Sequence, residues 1–195
     1  TNQTAADVAD SAARFAQAAR QSQIIFVPGG FSGGDEPDGS GKFITAFFRN
    51  PAVSEATMEL LKNRDGLMLG ICNGFQALIK LGLVPYGELI DTDDTCPTLS
   101  FNVIGRHQSR IVRTRIAPWL AGRQVGDVVN VPISHGEGRF LCSDALLEQL
   151  LENGQIATQY VDLSGAPSMD VDVNPNGSVW AIEGITSPDG RVLGK

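Results

Sequence analysis

The feature that most constrains this chain is a cysteine enclosed by two glycines at the junction of two predicted elements, Gly70-Ile71-Cys72-Asn73-Gly74. Residues 66–69 form a short apolar run typical of a buried strand, and residues 75–82 have the pattern of a helix. The spacing matches the G-x-S-x-G nucleophile elbow with sulfur in place of oxygen. We therefore predict that Cys72 lies on a sharp, strained turn, exposed above the end of a sheet.

This position favours a nucleophile for electrostatic reasons. The amino terminus of a helix carries partial positive charge, which stabilises a thiolate. Backbone N–H groups at the same terminus can bind an oxyanion. The alternative interpretation is a buried structural cysteine, and the flanking glycines argue against it. Cys96 and Cys142 lack such glycines, so structural or surface roles are predicted for both.

Composition limits the classes of protein that the chain can represent. Its 195 residues predict a single domain over residues 1–195, and 42% hydrophobic with 19% charged residues predict a soluble globular protein. A formal net charge of −7 argues against nucleic-acid binding. Three cysteines without paired spacing predict a reducing compartment. We see no signal-peptide pattern in the residues given, and none of their apolar runs reaches the ~20 residues that a membrane span needs. We therefore expect a cytoplasmic protein with neither a nucleic-acid nor a membrane partner.

The order of predicted elements indicates an α/β fold. Residues 4–20 predict an amphipathic helix, residues 23–27 a parallel strand covered on both faces, and residues 50–65 a second helix. This alternation predicts a mostly parallel central sheet between two layers of helices. The second half predicts a smaller antiparallel portion. Its strands are predicted at residues 99–104, 110–116, 128–133, 156–161 and 179–185, with one helix at residues 143–153 and turns at residues 174–177 and 187–190.

A glycine-rich segment, residues 28–35, directly follows the strand at residues 23–27. Loops at the carboxyl ends of strands line ligand sites in open α/β sheets, so a role in lining a site is predicted. A flexible turn and a phosphate cradle are the alternatives, but neither G-x-x-x-x-G-K-[ST] nor G-x-G-x-x-G is present. Residues 35–42 are polar and rich in glycine, and we expect them to be mobile.

A cysteine nucleophile needs a base within hydrogen-bond reach, and the chain has two histidines. His107 lies in a basic segment and is predicted to be a surface or interface residue. His135 follows a strand, and Glu137 could orient it as a base. A loop that contacts substrate or a partner is the interpretation we favour for this segment. No metal-ligand motif is present, and residues 91–94 are predicted to be a solvated acidic loop.

Four segments in a fixed order identify a family that this chain resembles. They are Pro28-Gly29-Gly30-Phe31, the elbow with its C-x-G-x-Q pattern over residues 72–76, His135-Gly136-Glu137-Gly138-Arg139 and Asn174-Pro175-Asn176-Gly177-Ser178. Together they resemble the glutaminase domain of phosphoribosylformylglycinamidine synthase, a class I glutamine amidotransferase of purine biosynthesis. The C-x-G-x-Q pattern marks the superfamily, and the other segments point to this member.

The resemblance implies a class I glutamine amidotransferase-like (flavodoxin-like) three-layer sandwich and a set of roles. Cys72 would attack the side-chain amide of glutamine, form a glutamyl thioester and release ammonia. The backbone N–H of Asn73 and that of Gly29 or Gly30 would form the oxyanion hole, and Gln76 would shape the glutamine pocket. No cofactor is implied for this domain. Ammonia would pass to an ATP-dependent synthetase domain or subunit, which would hold ATP and Mg²⁺.

The sequence departs from the family at its ends. In the family, a catalytic H-x-E segment follows the strand that corresponds to residues 191–193, whereas the sequence given ends at Lys195. We therefore expect a fragment of a longer chain, shortened at both ends, which lacks the family's catalytic His and Glu and is inactive alone. The alternatives are a non-catalytic regulatory or assembly module of this fold, and another hydrolase whose base is His135 or His107.

Overall fold

The computed structural model describes residues 4–30, 41–117 and 126–195. The helices in these ranges are α1 (Ala5–Gln21), α2 (Lys42–Phe48), α3 (Pro51–Asn63), α4 (Asn73–Leu81), α5 (Leu83–Tyr86) and α6 (Asp144–Glu152). The strands are β1 (Ile24–Val27), β2 (Leu67–Gly70), β3 (Thr98–Ser100), β4 (Gln108–Ile116), β5 (Val128–His135), β6 (Arg139–Leu141), β7 (Ile156–Tyr160), β8 (Ile182–Thr186) and β9 (Val192–Gly194). None of the described helices is both long and apolar enough to cross a bilayer.

The strands β1, β2, β9, β8, β7, β4 and β5 lie side by side, in that order, in one sheet. The pairs β1–β2 and β2–β9 are parallel, as the alternating first half of the sequence predicts. The pairs from β9 through β8, β7 and β4 to β5 are antiparallel. Strands β3 and β6 form a separate antiparallel pair. Strand β9 is therefore the last strand of the parallel part of the sheet. It pairs with β2 on one edge and, on its other edge, with β8 of the antiparallel part.

Side chains cap three of the helices, α1, α3 and α6, at the residues where the sequence predicts that they start. Thr4 and Asp7 form a reciprocal capping box at the start of α1. The Asn50 side chain accepts a hydrogen bond from a backbone N–H in the first turn of α3, which begins with Pro51. Ser143 caps α6 in the same way. These local signals explain why the predicted and observed helix starts agree.

The parallel strands bury one face against a shared helical core. Ile25 and Val27 of β1 belong to the same buried cluster as side chains from α1, α3 and α4. Ile24 and Phe26, which point to the opposite face, are 58% and 56% exposed. The prediction that both faces of this strand are covered is therefore wrong for the described residues. An unbroken apolar run predicts a strand, but it does not reveal on which face the helices pack.

Two predicted strands are shorter in the structure because their ends form turns. Of the strand predicted at residues 99–104, only the first two residues lie in a strand, which spans Thr98–Ser100, and the chain then turns through Gly105, whose φ is 67°. The strand predicted from residue 179 begins at Ile182, because Val179–Ala181 form a 3₁₀ turn. The turns predicted at residues 174–177 and 187–190 are both present. The N–H of Gly177 donates a hydrogen bond to the carbonyl of Asn174, and that of Gly190 donates to the carbonyl of Ser187.

Candidate active site

The predicted strand–turn–helix elbow is confirmed. Strand β2 ends at Gly70, helix α4 begins at Asn73, and Cys72 lies between them. The backbone of Cys72 has φ 54° and ψ −111°, a conformation that costs a residue with a side chain of the order of 1–3 kcal/mol. Such strain is retained where surrounding structure enforces it, and it is concentrated at functional sites.

The two glycines of the elbow are required by close packing between elements. A Cβ on Gly74 would lie 2.1 Å from the carbonyl oxygen of Val27, at the end of β1. A Cβ on Gly70 would lie 2.6 Å from Cδ1 of Leu78 and 2.8 Å from the carbonyl oxygen of Gly74. Helix α4 can therefore approach β1 and β2 closely only because both positions lack a side chain.

Three strand ends meet at the cysteine. The N–H of Cys72 donates to the carbonyl of Lys195 at 2.9 Å, and the N–H of Lys195 donates to the carbonyl of Gly70 at 3.0 Å. The N–H of Ile71 donates to the carbonyl of Val27 at 3.0 Å. The carboxyl ends of β1, β2 and β9 thus surround the elbow, which is where open α/β sheets bind their ligands.

The glycine-rich loop lies against the cysteine, as the sequence predicts. A Cβ on Gly29 would lie 3.0 Å from Cβ of Cys72 and 3.7 Å from its Sγ. Gly30 has φ 128°, which favours glycine. A cavity beside the aromatic cluster of α1 and α2 is lined by Gly29, Gly30 and the buried Asn73; it is separate from the cavity beside Cys72 described below. Residues 31–35, the remainder of this segment, lie outside the described residues, as do residues 35–40 of the stretch at 35–42 that is predicted to be mobile.

A cavity of about 460 Å³ opens beside Cys72. Its walls are mainly apolar with a few polar groups, the usual composition of a small-molecule site. The lining includes Phe75, Leu99, Pro132, His135, Tyr160 and Glu183. The cavity therefore joins the elbow to the antiparallel half of the sheet, so both halves of the sequence contribute to it.

Gln76, predicted to shape the pocket, contacts a wall of this cavity. Its side chain is buried in the first turn of α4, and its Nε2 donates to the carbonyl of Glu137 at 2.8 Å. Glu137 itself lines the cavity together with His135 and Gly138. Gln76 therefore fixes a loop that faces Cys72, and its effect on the cavity is transmitted through that loop.

The geometry does not show His135 arranged as a base with an orienting partner. Burial lowers the pKa of His135, and nearby His107 lowers it further. The Nδ1 atom of His135 is buried and has no hydrogen-bond partner among the described residues. His107 is exposed, as predicted, and its Nε2 lies 3.0 Å from the Ser134 hydroxyl.

The ring of His135 also explains one of the glycines that follow it. A Cβ on Gly138 would lie 2.2 Å from Cε1 of the His135 ring, whereas a Cβ on Gly136 would meet nothing within 4 Å. For Gly138 the residue that approaches is His135 itself.

A cluster of polar side chains around Glu183 at the wall of the cavity was not predicted from the sequence. Glu183 is bonded to the hydroxyl of Thr158 and lies 3.3 Å from Nζ of Lys195. Tyr160 accepts a hydrogen bond from Nδ2 of Asn176 at 2.7 Å, and burial followed by the charge of Glu183 raises its pKa. Thr158 and Tyr160 lie on β7 and Glu183 lies on β8, so only the alternation of side chains within each strand could have indicated that the three face the same side.

The remaining polar candidates have local roles. The Asp93 carboxylate accepts hydrogen bonds from the N–H and hydroxyl of Thr95, which lower its pKa. Asp91 pairs with Arg49 at 2.9 Å. Burial raises the pKa of Cys142 to about 11, which leaves its thiol protonated at neutral pH. In the part of the chain that the structure describes, no group of three or more His, Cys, Asp or Glu side chains is suited to a metal ion.

Comparison with known proteins gives matches over nearly the whole chain. The family described as the CobB/CobQ-like glutamine amidotransferase domain matches residues 3–195. The chain is 37% identical over 179 residues to phosphoribosylformylglycinamidine synthase subunit PurQ of Methanococcus maripaludis, covering 88% of this chain and 62% of that protein. It is 40% identical over 177 residues to the subunit of the same name from Acaryochloris marina, covering 88% and 66%. The chain thus spans a little under two thirds of the length of these relatives.

A solved structure has the same fold. The structure of PurLQS from Thermotoga maritima matches with a TM-score of 0.62 at 24% identity, covering 92% of this chain and 78% of the matched chain. At this identity the match establishes the fold alone. Together with the family match it confirms the predicted class I glutamine amidotransferase-like fold.

Proposed function

The chain belongs to the family of CobB/CobQ-like glutamine amidotransferase domains, and we propose that it is the glutaminase part of a phosphoribosylformylglycinamidine synthase. The relatives in Methanococcus maripaludis and Acaryochloris marina carry the name of that synthase. The observation that carries the proposal is Cys72, held in a strained conformation beside Gly29 and facing a cavity of about 460 Å³. This arrangement suits a nucleophile that accepts an acyl group.

The proposed reaction proceeds in two steps. The Cys72 thiolate attacks the side-chain carbonyl carbon of glutamine, and the carbonyl oxygen becomes an oxyanion. Its negative charge would be stabilised by the backbone N–H of Asn73 and that of Gly29 or Gly30. The C–N bond then breaks, the nitrogen takes up a proton and leaves as ammonia, and a glutamyl thioester remains on Cys72. Water attacks the thioester to give glutamate and regenerate the thiol.

We propose that the base for this reaction reaches the site from beyond β9. In the family that the sequence resembles, an H-x-E segment follows this strand. The geometry supports such an entry, because the carbonyl of Lys195 accepts the N–H of Cys72 at 2.9 Å and Lys195 lines the same cavity. A chain that continued past Lys195 would therefore begin next to the thiol. His135 also lines this cavity, but among the described residues its Nδ1 has no hydrogen-bond partner that would orient the ring as a base.

We further propose that the ammonia is used by an ATP-dependent synthetase domain or subunit. The relatives are named as subunits of a synthase, and the solved structure that shares this fold is that of PurLQS, which supports a glutaminase that works within an assembly. ATP and Mg²⁺ would bind to the synthetase, and the glutaminase would need no cofactor. The reaction there would be the amidation of a formylglycinamide ribonucleotide.

The test is substitution of Cys72 in the full-length protein. Cys72→Ser should lower glutamine-dependent synthase activity by more than about 1,000-fold, because the nucleophile is lost. Activity with ammonium chloride as nitrogen donor should be unchanged, because the synthetase does not use the thiol. Both are measured as ATP-dependent product formation.

A matched control is Cys96→Ser, which makes the same chemical change at a cysteine outside the cavity. It should leave both activities unchanged. Loss of ammonia-dependent activity in Cys72→Ser, or retention of glutamine-dependent activity, would contradict the proposed function.

A further inference from the structure

The loop of residues 135–138, which faces Cys72 across the cavity, is held by one buried asparagine. Asn102 is 2% exposed. Its Nδ2 donates to the carbonyls of His135 at 2.9 Å and Arg106 at 3.1 Å, and its Oδ1 accepts the N–H of Gly138 at 3.1 Å. Its backbone N–H donates to the carbonyl of Gly136 at 2.9 Å. One residue therefore satisfies backbone groups at three of the four loop positions.

The other side of the loop is held from two further elements. Gln76 donates to the carbonyl of Glu137 at 2.8 Å. Asn176 and Ser178 donate to the carbonyl of Gly138 at 3.0 and 3.2 Å. Every carbonyl of the loop thus accepts a hydrogen bond from outside the loop. Such a loop is rigid, because moving it would leave several polar groups without partners.

The two apolar residues that flank Asn102 in its segment, residues 101–103, are not buried. Its neighbours Phe101 and Val103 are 65% and 52% exposed. The backbone N–H of Val103 donates to the carbonyl of Asn176 at 3.0 Å, which joins this segment to the opposite support of the loop. The segment thus directs one polar side chain inward while two large apolar side chains remain at the surface. This pattern indicates that residues 101–103 serve to place the polar side chain of Asn102 against the loop.

We propose that Asn102 is a positioning residue, which holds residues 135–138 in the conformation that receives glutamine opposite Cys72. The inference rests on the proposed function. A side-chain amide is required because the position needs a donor for two carbonyls and an acceptor for one N–H. Asn102 does not line the cavity itself, so it acts through the loop, and its loss would affect recognition of glutamine more than the reactivity of the thiol.

The test compares two reagents that label Cys72 in the full-length protein. One is 6-diazo-5-oxo-L-norleucine, a diazoketone with the shape of glutamine, and the other is iodoacetamide. Labelling of the Cys72 peptide is followed by mass spectrometry, which separates it from Cys96 and Cys142. In Asn102→Asp a carboxylate replaces the donor and faces two carbonyl oxygens. The diazoketone should label this variant about tenfold to a hundredfold more slowly, with iodoacetamide labelling unchanged.

Two further variants make the result decisive. Asn130→Asp makes the same change at an exposed residue of β5 and should label like the wild type. Asn102→Ser removes the side-chain bonds without adding a charge, and it should also slow the diazoketone selectively. The KM for glutamine should rise in both Asn102 variants while ammonia-dependent activity stays constant. Folding of each variant is checked by thermal unfolding.

The outcomes separate this inference from the proposed function. If glutamine does not protect wild-type Cys72 from the diazoketone, the proposed function is wrong. If wild-type Cys72 is protected but the Asn102 variants label at the wild-type rate, the positioning role is wrong. Equal slowing of both reagents, or unfolding of both Asn102 variants, would show that Asn102 serves only the fold and would overturn the inference.

Discussion

Replacing Cys72 with glycine should stabilise the fold relative to replacing it with alanine. Both variants lack the thiol, but only alanine keeps the Cβ that makes φ 54°, ψ −111° unfavourable. This conformation is the mirror image of an ordinary extended one, so glycine adopts it readily. Comparing the two variants therefore isolates the backbone strain at the elbow from the loss of the side-chain sulfur.

The expected size follows from two opposing terms. Strain in such a conformation is of the order of 1–3 kcal/mol, and glycine releases it. The greater freedom of glycine in the unfolded chain costs about 0.4–1 kcal/mol. The free energy of unfolding of Cys72→Gly should then exceed that of Cys72→Ala by about 1.3 kcal/mol, the difference between the middles of the two ranges. For a chain of this size, that difference raises the melting temperature by about 3–5 °C.

Urea unfolding followed by circular dichroism measures the difference directly. The control is the same pair of substitutions at Cys96, which is half-buried and whose φ is not positive. There the glycine variant should be less stable than the alanine variant by about 0.4–1 kcal/mol. If Cys72→Gly is likewise less stable than Cys72→Ala, the elbow stores no strain, and the reasoning is refuted.

Two further predictions concern other residues of the site. Gly74→Ala should lower the free energy of unfolding by about 3 kcal/mol in urea, because its Cβ would lie 2.1 Å from the Val27 carbonyl. Gly136→Ala, whose Cβ meets nothing within 4 Å, should change it by less than about 0.5 kcal/mol, and equal effects would contradict the packing described. Since burial lowers the pKa of His135, the unfolded chain binds that proton more tightly than the fold does. The stability linked to His135 is therefore complete above its ordinary pKa of about 6.5 and declines as the pH falls through the lowered value. Urea unfolding at pH 5 and pH 7.5 should show a smaller difference in His135→Gln than in the wild type or in His107→Gln, and an unchanged difference would contradict the assignment.

The parts of the site that could be predicted from sequence are those fixed by neighbouring residues. The elbow could be recognised because Gly70, Cys72 and Gly74 lie within five positions. The contact that requires Gly74, with the Val27 carbonyl of β1, is itself between distant segments. The helix caps at Thr4 and Asn50 depend on neighbouring residues alone. Where a few adjacent residues decide the backbone, a pattern of residue types is sufficient to predict it.

The parts that could not be predicted depend on contacts between distant segments. Residues 99–104 have the composition of a strand, but Asn102 leaves the sheet to bond groups about 33 to 36 positions away. The exposure of Phe26 depends on which face of the sheet the helices occupy. The wall that contains Glu183 depends on the order of the antiparallel strands. None of these arrangements is encoded by spacing along the chain.

Because of the close packing at the elbow, the two glycines and the cysteine of a related sequence indicate different things, the first the fold and the second the activity. Gly70 and Gly74 are demanded by the approach of Val27 and Leu78, whatever atom stands at position 72. A descendant of this protein that had abandoned catalysis would still need both glycines to fold. In such a protein the two glycines would indicate only that the fold is retained, and the cysteine at position 72 would be the residue that indicates retained activity.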